Sequence, residues 1–145
     1  MDFSISEDHR AIRDGVNAVV RQFDDEYWLA RDEDGEFPRA FHQAMAQAGW
    51  LGITMPVEYG GAGLGVTEAA IMMHEVASHG GGMTATSTVH INLFGPHPIV
   101  VFGTDEQRDL LRAAVQLLGG QVHSAQLFGM GLRHLQRLLA GQAPI

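Results

Sequence analysis

Between Glu75 and Asp105 the chain runs for 29 residues without a formal charge. Stretches of that length rarely face water unaided. This one is long enough to cross a bilayer. However, Gly80-Gly81-Gly82, Asn92, Pro96 and Pro98 interrupt it, and a lipid-exposed segment cannot leave so many backbone groups unpaired. The segment is therefore expected to lie buried within the protein or beneath a partner surface, with no membrane span.

The charges outside this gap are unevenly placed. Residues 1 to 60 hold 12 acids and 5 arginines, whereas residues 113 to 145 hold no acid and only Arg133 and Arg137. The net charge of -8 and the absence of any lysine argue against a nucleic-acid footprint. They also exclude a Schiff-base lysine or a phosphate-loop lysine. Zero cysteines exclude a disulfide framework, a thiolate metal site and a thiol nucleophile. The start, Met1-Asp2-Phe3-Ser4, lacks the layout of a signal peptide, so a cytoplasmic protein is expected. At 145 residues with 46% apolar content, one ordinary globular domain is the natural outcome.

Apolar periodicity is helical almost throughout. Ser4 or Ser6 can cap a first helix, whose stripe runs through Ile12, Val16, Val19, Val20, Phe23 and Tyr27 to an acidic loop at Asp32-Glu33-Asp34-Gly35. Pro38 suits the first turn of a second helix, with Phe41, Ala44, Met45 and Ala48 on one face and Gly49 as its stop. Thr67 can cap a third helix reaching about His79, and Thr104-Asp105-Glu106-Gln107 is a capping box for a later one. Residues 84 to 94 are ambiguous. Thr84, Thr86, Thr88, Val89 and Ile91 favour strand, while Val89, Leu93 and Phe94 fit a helical face. Periodicity alone gives about five helices and an all-α domain.

Several catalytic motifs fail on spacing. Gly61-x-Gly63-x-Gly65 is one residue short of a dinucleotide fingerprint and reads as a tight connection. His74 and His79 are five apart, about 140° around a helix at 3.6 residues per turn, so they cannot share a metal from one face. No Gly-x-Ser-x-Gly elbow is present. Glu75 is the one carboxylate on an apolar helix face, and an ion pair is its simplest reading. No catalytic, cofactor-binding or metal-binding residue is assigned.

Two longer elements are more specific. Ala48-Gly49-Trp50-Leu51-Gly52-Ile53 leads into Met55-Pro56-Val57-Glu58-Tyr59-Gly60-Gly61-Ala62-Gly63, and Phe102-Gly103-Thr104-Asp105-Glu106-Gln107 follows at a fixed separation. Together with Tyr27-Trp28, Phe37-Pro38, Glu75 and the run from Asn92 to Pro98, they resemble the N-terminal helical domain of the acyl-CoA dehydrogenase family over about residues 1 to 112. The resemblance implies a helical-bundle domain of five or six helices over residues 1 to 118, in which 84 to 94 is helix. It also implies FAD-linked oxidation of the acyl-CoA Cα–Cβ bond in lipid metabolism. A carboxylate takes the α-proton, and hydrogen bonds to the thioester oxygen stabilise enolate charge. Electrons pass to an electron-transfer flavoprotein, and the subunits assemble as oligomers. By the same resemblance Thr86, Ser87 and His90 would face the acyl chain, with Phe94 nearby. That polar lining suits a short, bulky or oxygenated acyl group.

From Gln121 onward the family pattern stops, and the base and most flavin contacts of the family belong to later domains. Residues 119 to 145 read as a divergent tail, with Leu132, Leu135, Leu138 and Leu139 at helical spacing. The expectation is a dehydrogenase-like chain represented by its N-terminal domain and inactive alone. The competing expectation is a non-enzymatic helical module docking on a full-length dehydrogenase subunit. In either case, apolar side chains between Glu75 and Asp105 should remain exposed on the isolated domain.

Overall fold

A computed structural model describes residues 4–117, and within them every regular element is helical. There are six helices of nine residues or more: α1 (Glu7–Val20), α2 (Asp25–Asp34), α3 (Arg39–Gln47), α4 (Val66–Ala77), α5 (Gly82–Phe94) and α7 (Asp105–Leu117). A single short helix, α6 (His97–Phe102), lies between the last two. Two 3₁₀ turns, Trp50–Gly52 and Val57–Tyr59, carry the chain from α3 to α4. The leucines proposed for the tail lie outside the described residues.

The first helical stripe is two helices rather than one. Its apolar spacing continues across the break, but Asp24 takes an extended backbone and its side chain accepts the Tyr27 N–H at 2.9 Å. That cap restarts the chain as α2. The acidic run is accordingly the last turn of α2, closed by Gly35 at φ 66°, and not a loop. Ser6, rather than Ser4, caps α1 by accepting the His9 N–H at 3.1 Å. Pro38 stands one residue before α3, at its N-cap. Thr67 is not the cap of α4. The N-cap is Gly65, two residues earlier, whose N–H donates to the Glu68 carboxylate at 2.9 Å. Thr104 and Gln107 do bond each other's backbone N–H reciprocally at the start of α7.

Residues 84 to 94 are helical despite their β-branched content. The threonines explain how. Thr86 Oγ1 donates to the Gly82 carbonyl and Thr88 Oγ1 to the Thr84 carbonyl, both at 2.8 Å. Each hydroxyl bonds one turn back along the helix instead of competing with it.

One core dominates. Ile12, Val16, Val19 and Val20 of α1 meet Phe41 and Met45 of α3, Met72 and Val76 of α4, and Val89 and Leu93 of α5. Trp28 closes one end, stacked edge-on against Phe41 at 5.0 Å. Gly81 permits this, because a Cβ there would overlap the Trp28 indole. Helix α4 is central: it packs on α1 on one side and on α5 on the other. A smaller cluster of Met55, Tyr59 and Leu111 fastens α7 to the second 3₁₀ turn.

The glycine loop is a brace. Ala62 N–H donates to Gly52 O, Gly63 N–H to Met55 O, and Leu64 N–H to Ile53 O, at 3.0, 2.8 and 2.9 Å. The two backbone segments lie too close for a side chain at Gly61, whose Cβ would overlap the Met55 carbonyl. Replacing Gly61 by alanine must push that backbone apart. We expect Gly61→Ala to cost about 2–3 kcal/mol by overpacking, read as a lowered urea midpoint with unchanged helical circular dichroism at zero denaturant. An unchanged midpoint would show that the brace has slack.

Candidate functional site

Helix α5 divides sharply around its axis. Ala85, Thr88, Val89, Asn92 and Leu93 are buried. At about 100° per residue, Thr86, Ser87, His90 and Phe94 fall within roughly 100° of one another on the opposite side. The four residues named from the sequence therefore share one unburied strip. Thr86 and His90 are half-buried, Ser87 is exposed, and Phe94 is 68% exposed. The His90 and Phe94 rings meet edge-on at 5.8 Å. His90 Nδ1 lies 2.8 Å from the Ser87 carbonyl. A carbonyl only accepts, so Nδ1 carries the proton and Nε2 is left as an acceptor.

The ends of the strip open onto different concavities. Ser87 lines an open cleft of about 560 Å³ with Thr84, Thr88, Arg31 and Phe37. Phe94 lines an apolar groove of about 630 Å³ with Leu64, Val66, Ala70, Met73 and His97. That groove is built from the glycine loop, α4 and the α5–α6 junction, three segments that no local motif connects. Only Phe94 among its walls was identified from the sequence.

The uncharged segment behaves as expected in part. Its inner face is core, but Met83, Phe94 and Phe102 stand 75%, 68% and 85% exposed, and Val101 is also exposed. These side chains form an apolar exterior to α5 and α6.

Beneath the strip, Glu75 is buried at the α1–α4 seam. Arg13 Nε donates to its Oε1 at 2.6 Å and Asn17 Nδ2 to its Oε2 at 2.8 Å. His79 Nε2 then bonds Asn17 Oδ1 at 2.7 Å. The ion-pair reading of Glu75 holds, with a partner 62 positions away. Burial pushes the carboxyl up, but the hydrogen bonds from Arg13 and Asn17 and the Arg13 charge outweigh it, so Glu75 sits below its ordinary 4.5. Both carboxylate oxygens are committed, which leaves Glu75 unsuited to take a proton from a substrate. His74, 76% exposed, has its Nδ1 3.8 Å from Glu75 Oε1, whereas His79 bonds Asn17. Among the described residues no three His, Cys, Asp or Glu side chains gather as a metal site, and no helix is long and apolar enough to cross a membrane.

Among the described residues the glycine loop does not fit a flavin pyrophosphate. A pyrophosphate cradle needs free backbone N–H groups. In the glycine loop those of Gly61, Ala62, Gly63 and Leu64 are spent on the chain's own carbonyls.

The regular elements of the described residues are all helical, with one strip of α5 facing away from the core. Residues 6–115 match the family described as acyl-CoA dehydrogenase, N-terminal domain, and the chain belongs to the acyl-CoA dehydrogenase family through that domain. It is 30% identical over 109 residues to an acyl-CoA dehydrogenase of Mycobacterium tuberculosis, covering 73% of this chain and 27% of that protein. It is 32% identical over 77 residues to an acyl-CoA dehydrogenase of Bacillus subtilis (53% and 20% covered). To the mitochondrial isovaleryl-CoA dehydrogenase of Pongo abelii it is 33% identical over 91 residues (61% and 22% covered). The chain thus spans about a quarter of the length of the curated relatives it matches. No solved structure matches it at a significant level.

The Glu75 pairing has a definite pH signature. Because the folded carboxyl lies below 4.5, its contribution is fully present above that value and is lost as pH falls through the folded value. Glu75→Gln should cost about 1–3 kcal/mol at pH 7. The gap in urea midpoint between wild type and variant should close below pH 4.5. A gap that stays constant down to pH 3 would show that the charge contributes nothing.

Proposed function

We propose that residues 4–117 form one wall of the acyl pocket of an acyl-CoA dehydrogenase, acting in FAD-linked Cα–Cβ oxidation. The observation that supports it most is the α5 strip, which places Thr86, Ser87, His90 and Phe94 together and uncovered on the outside of a well-packed core. Thr86 spends its hydroxyl hydrogen on its own helix, so toward an acyl group it presents an acceptor and a methyl. His90 presents Nε2 as an acceptor and a ring edge packed on Phe94. Such a wall suits a short, bulky or oxygenated acyl group better than a long alkyl chain. The relative named isovaleryl-CoA dehydrogenase is in keeping with that class.

Glu75 has both oxygens occupied and the loop amides are spent, so this reading assigns neither the base nor a flavin cradle to them. In this reading the 145-residue chain on its own neither retains FAD nor dehydrogenates acyl-CoA. Its partners are acyl-CoA, further copies or subunits of a dehydrogenase, and through them an electron-transfer flavoprotein. Residues 1–118 are the functional unit of the chain, and its setting is the cytoplasm. A second reading, a non-enzymatic module docking on a complete dehydrogenase subunit, draws on the exposed Phe94, Val101 and Phe102. It predicts that this chain co-elutes with a complete dehydrogenase subunit whose flavin is reduced with or without it.

Titration of the isotope-labelled chain with butyryl-CoA and isovaleryl-CoA tests the wall directly. Amide shifts should concentrate at Thr86, Ser87, His90 and Phe94, with millimolar affinity, and His90→Ala should weaken binding about threefold to tenfold. Shifts confined to residues outside α5, or none at all, would refute the assignment. In parallel, FAD added with either thioester should show no bleaching. Stoichiometric flavin binding with bleaching would overturn the claim that this chain is inactive alone.

A further inference from the structure

The open cleft beside Ser87 has no assigned occupant. One wall is the start of α5, with Met83, Thr84 and Ser87. The other is the connection from α2 to α3, with Arg31, Phe37 and Pro38. Its volume of about 560 Å³ lies within the range of small-molecule sites. Ser87 belongs both to this cleft and to the uncovered strip of α5, so the two surfaces are continuous.

The two large apolar side chains of the cleft suit an aromatic guest. Phe37 is 41% exposed and Met83 75%. The Phe37 ring is held against the ring of buried His42 at 5.5 Å and 57°, which fixes its position. A ring held in that way can pair edge-to-face or offset with a second ring, and a thioether packs well on an aromatic edge. A linear alkyl chain gains neither contact and loses more rotational freedom on binding. Met83 and Ser87 are one helical turn apart, about 6 Å along the axis. A short acyl group lying along the strip therefore reaches Met83 when it carries a ring at its far end.

The charges oppose an acid at that end. Asp32 and Glu36 line the cleft together with Arg31. The Arg31 guanidinium pairs with Asp34 and lies over the Tyr27 ring at 5.8 Å, and its Nε is buried. The cleft is thus net negative, and an entering carboxylate would meet like charge.

We propose that the cleft between α5 and the α2–α3 connection receives an uncharged aromatic ring at the distal end of the acyl group, packed between Phe37 and Met83. The proposal rests on the reading of α5 as an acyl wall and narrows its substrate class to aryl-substituted short acyl groups.

The test is a titration of the isotope-labelled full chain with butyryl-CoA, glutaryl-CoA and 3-phenylpropionyl-CoA. The phenyl thioester should shift Phe37, Met83 and Thr84 in addition to the strip, and bind at least tenfold tighter than butyryl-CoA. Glutaryl-CoA should bind no tighter than butyryl-CoA. Phe37→Ala and Met83→Ala, both at exposed positions, should each lower the phenyl-to-butyryl affinity ratio to threefold or less, with helical circular dichroism unchanged. Shifts on the strip alone with all three thioesters, at equal affinity, would overturn the proposal and leave the acyl wall standing. Phenyl-dependent shifts at Leu64 and Met73 would place the ring in the apolar groove, and tightest binding by glutaryl-CoA would place an anion in the cleft; either overturns it. No shift at α5 with any thioester would refute the wall and the proposal together.

Discussion

The pairing of Glu75 with Arg13 and Asn17 sets the geometry on which the rest of the domain depends. A carboxylate buried against apolar side chains is costly unless its oxygens are satisfied. Here one oxygen takes a guanidinium N–H and the other an amide N–H, both from α1. That fixes α1 and α4 in rotation and in register, since a shift by one residue would leave a buried charge unmatched. His9 near Glu68 at 3.2 Å marks the same seam nearer the start of both helices. With α1 and α4 fixed, Val16, Met72 and Val76 become fully buried, and α5 is laid onto the other side of α4.

The uncovered strip of α5 follows from that arrangement. Its inner residues are held by α4 and α3, so its outer residues are presented on a rigid support rather than a loop. Rigid presentation is what a pocket wall requires, because small misplacements near reacting atoms are expensive. The glycine loop plays the matching role at the other end of α4. It ties the turns between Gly49 and Tyr59 to the start of that helix by backbone bonds alone, at an approach only glycine permits.

The sequence made some of this legible and hid the rest for physical reasons. The caps at Thr104 and Gly49 could be read because they are local. The break between α1 and α2 escaped periodicity, because Val20, Phe23 and Tyr27 keep helical spacing across it. Asp24, followed by Asp25 and Glu26, was the available signal for a new start. Helix at 84 to 94 ran against threonine propensity and was recoverable only through the family pattern. Side-chain back-bonding is invisible to a propensity scale. The partner of Glu75 and the walls of the apolar groove come from segments dozens of residues apart. No single sequence specifies such contacts, whereas the strip of Thr86, Ser87, His90 and Phe94 came from the family resemblance, and the four share a side once the segment is helical.

Amide hydrogen exchange on Glu75→Ala measures the central dependence most directly. If the seam holds α1 on α4 and thereby supports α5, protection at Val16, Met72 and Val89 should fall together. The fall should be about tenfold to a hundredfold, corresponding to the roughly 1.5–3 kcal/mol of hydrogen bonds to a charged group. Loss of protection confined to α1, with Val89 and Leu93 exchanging at the wild-type rate, would contradict it.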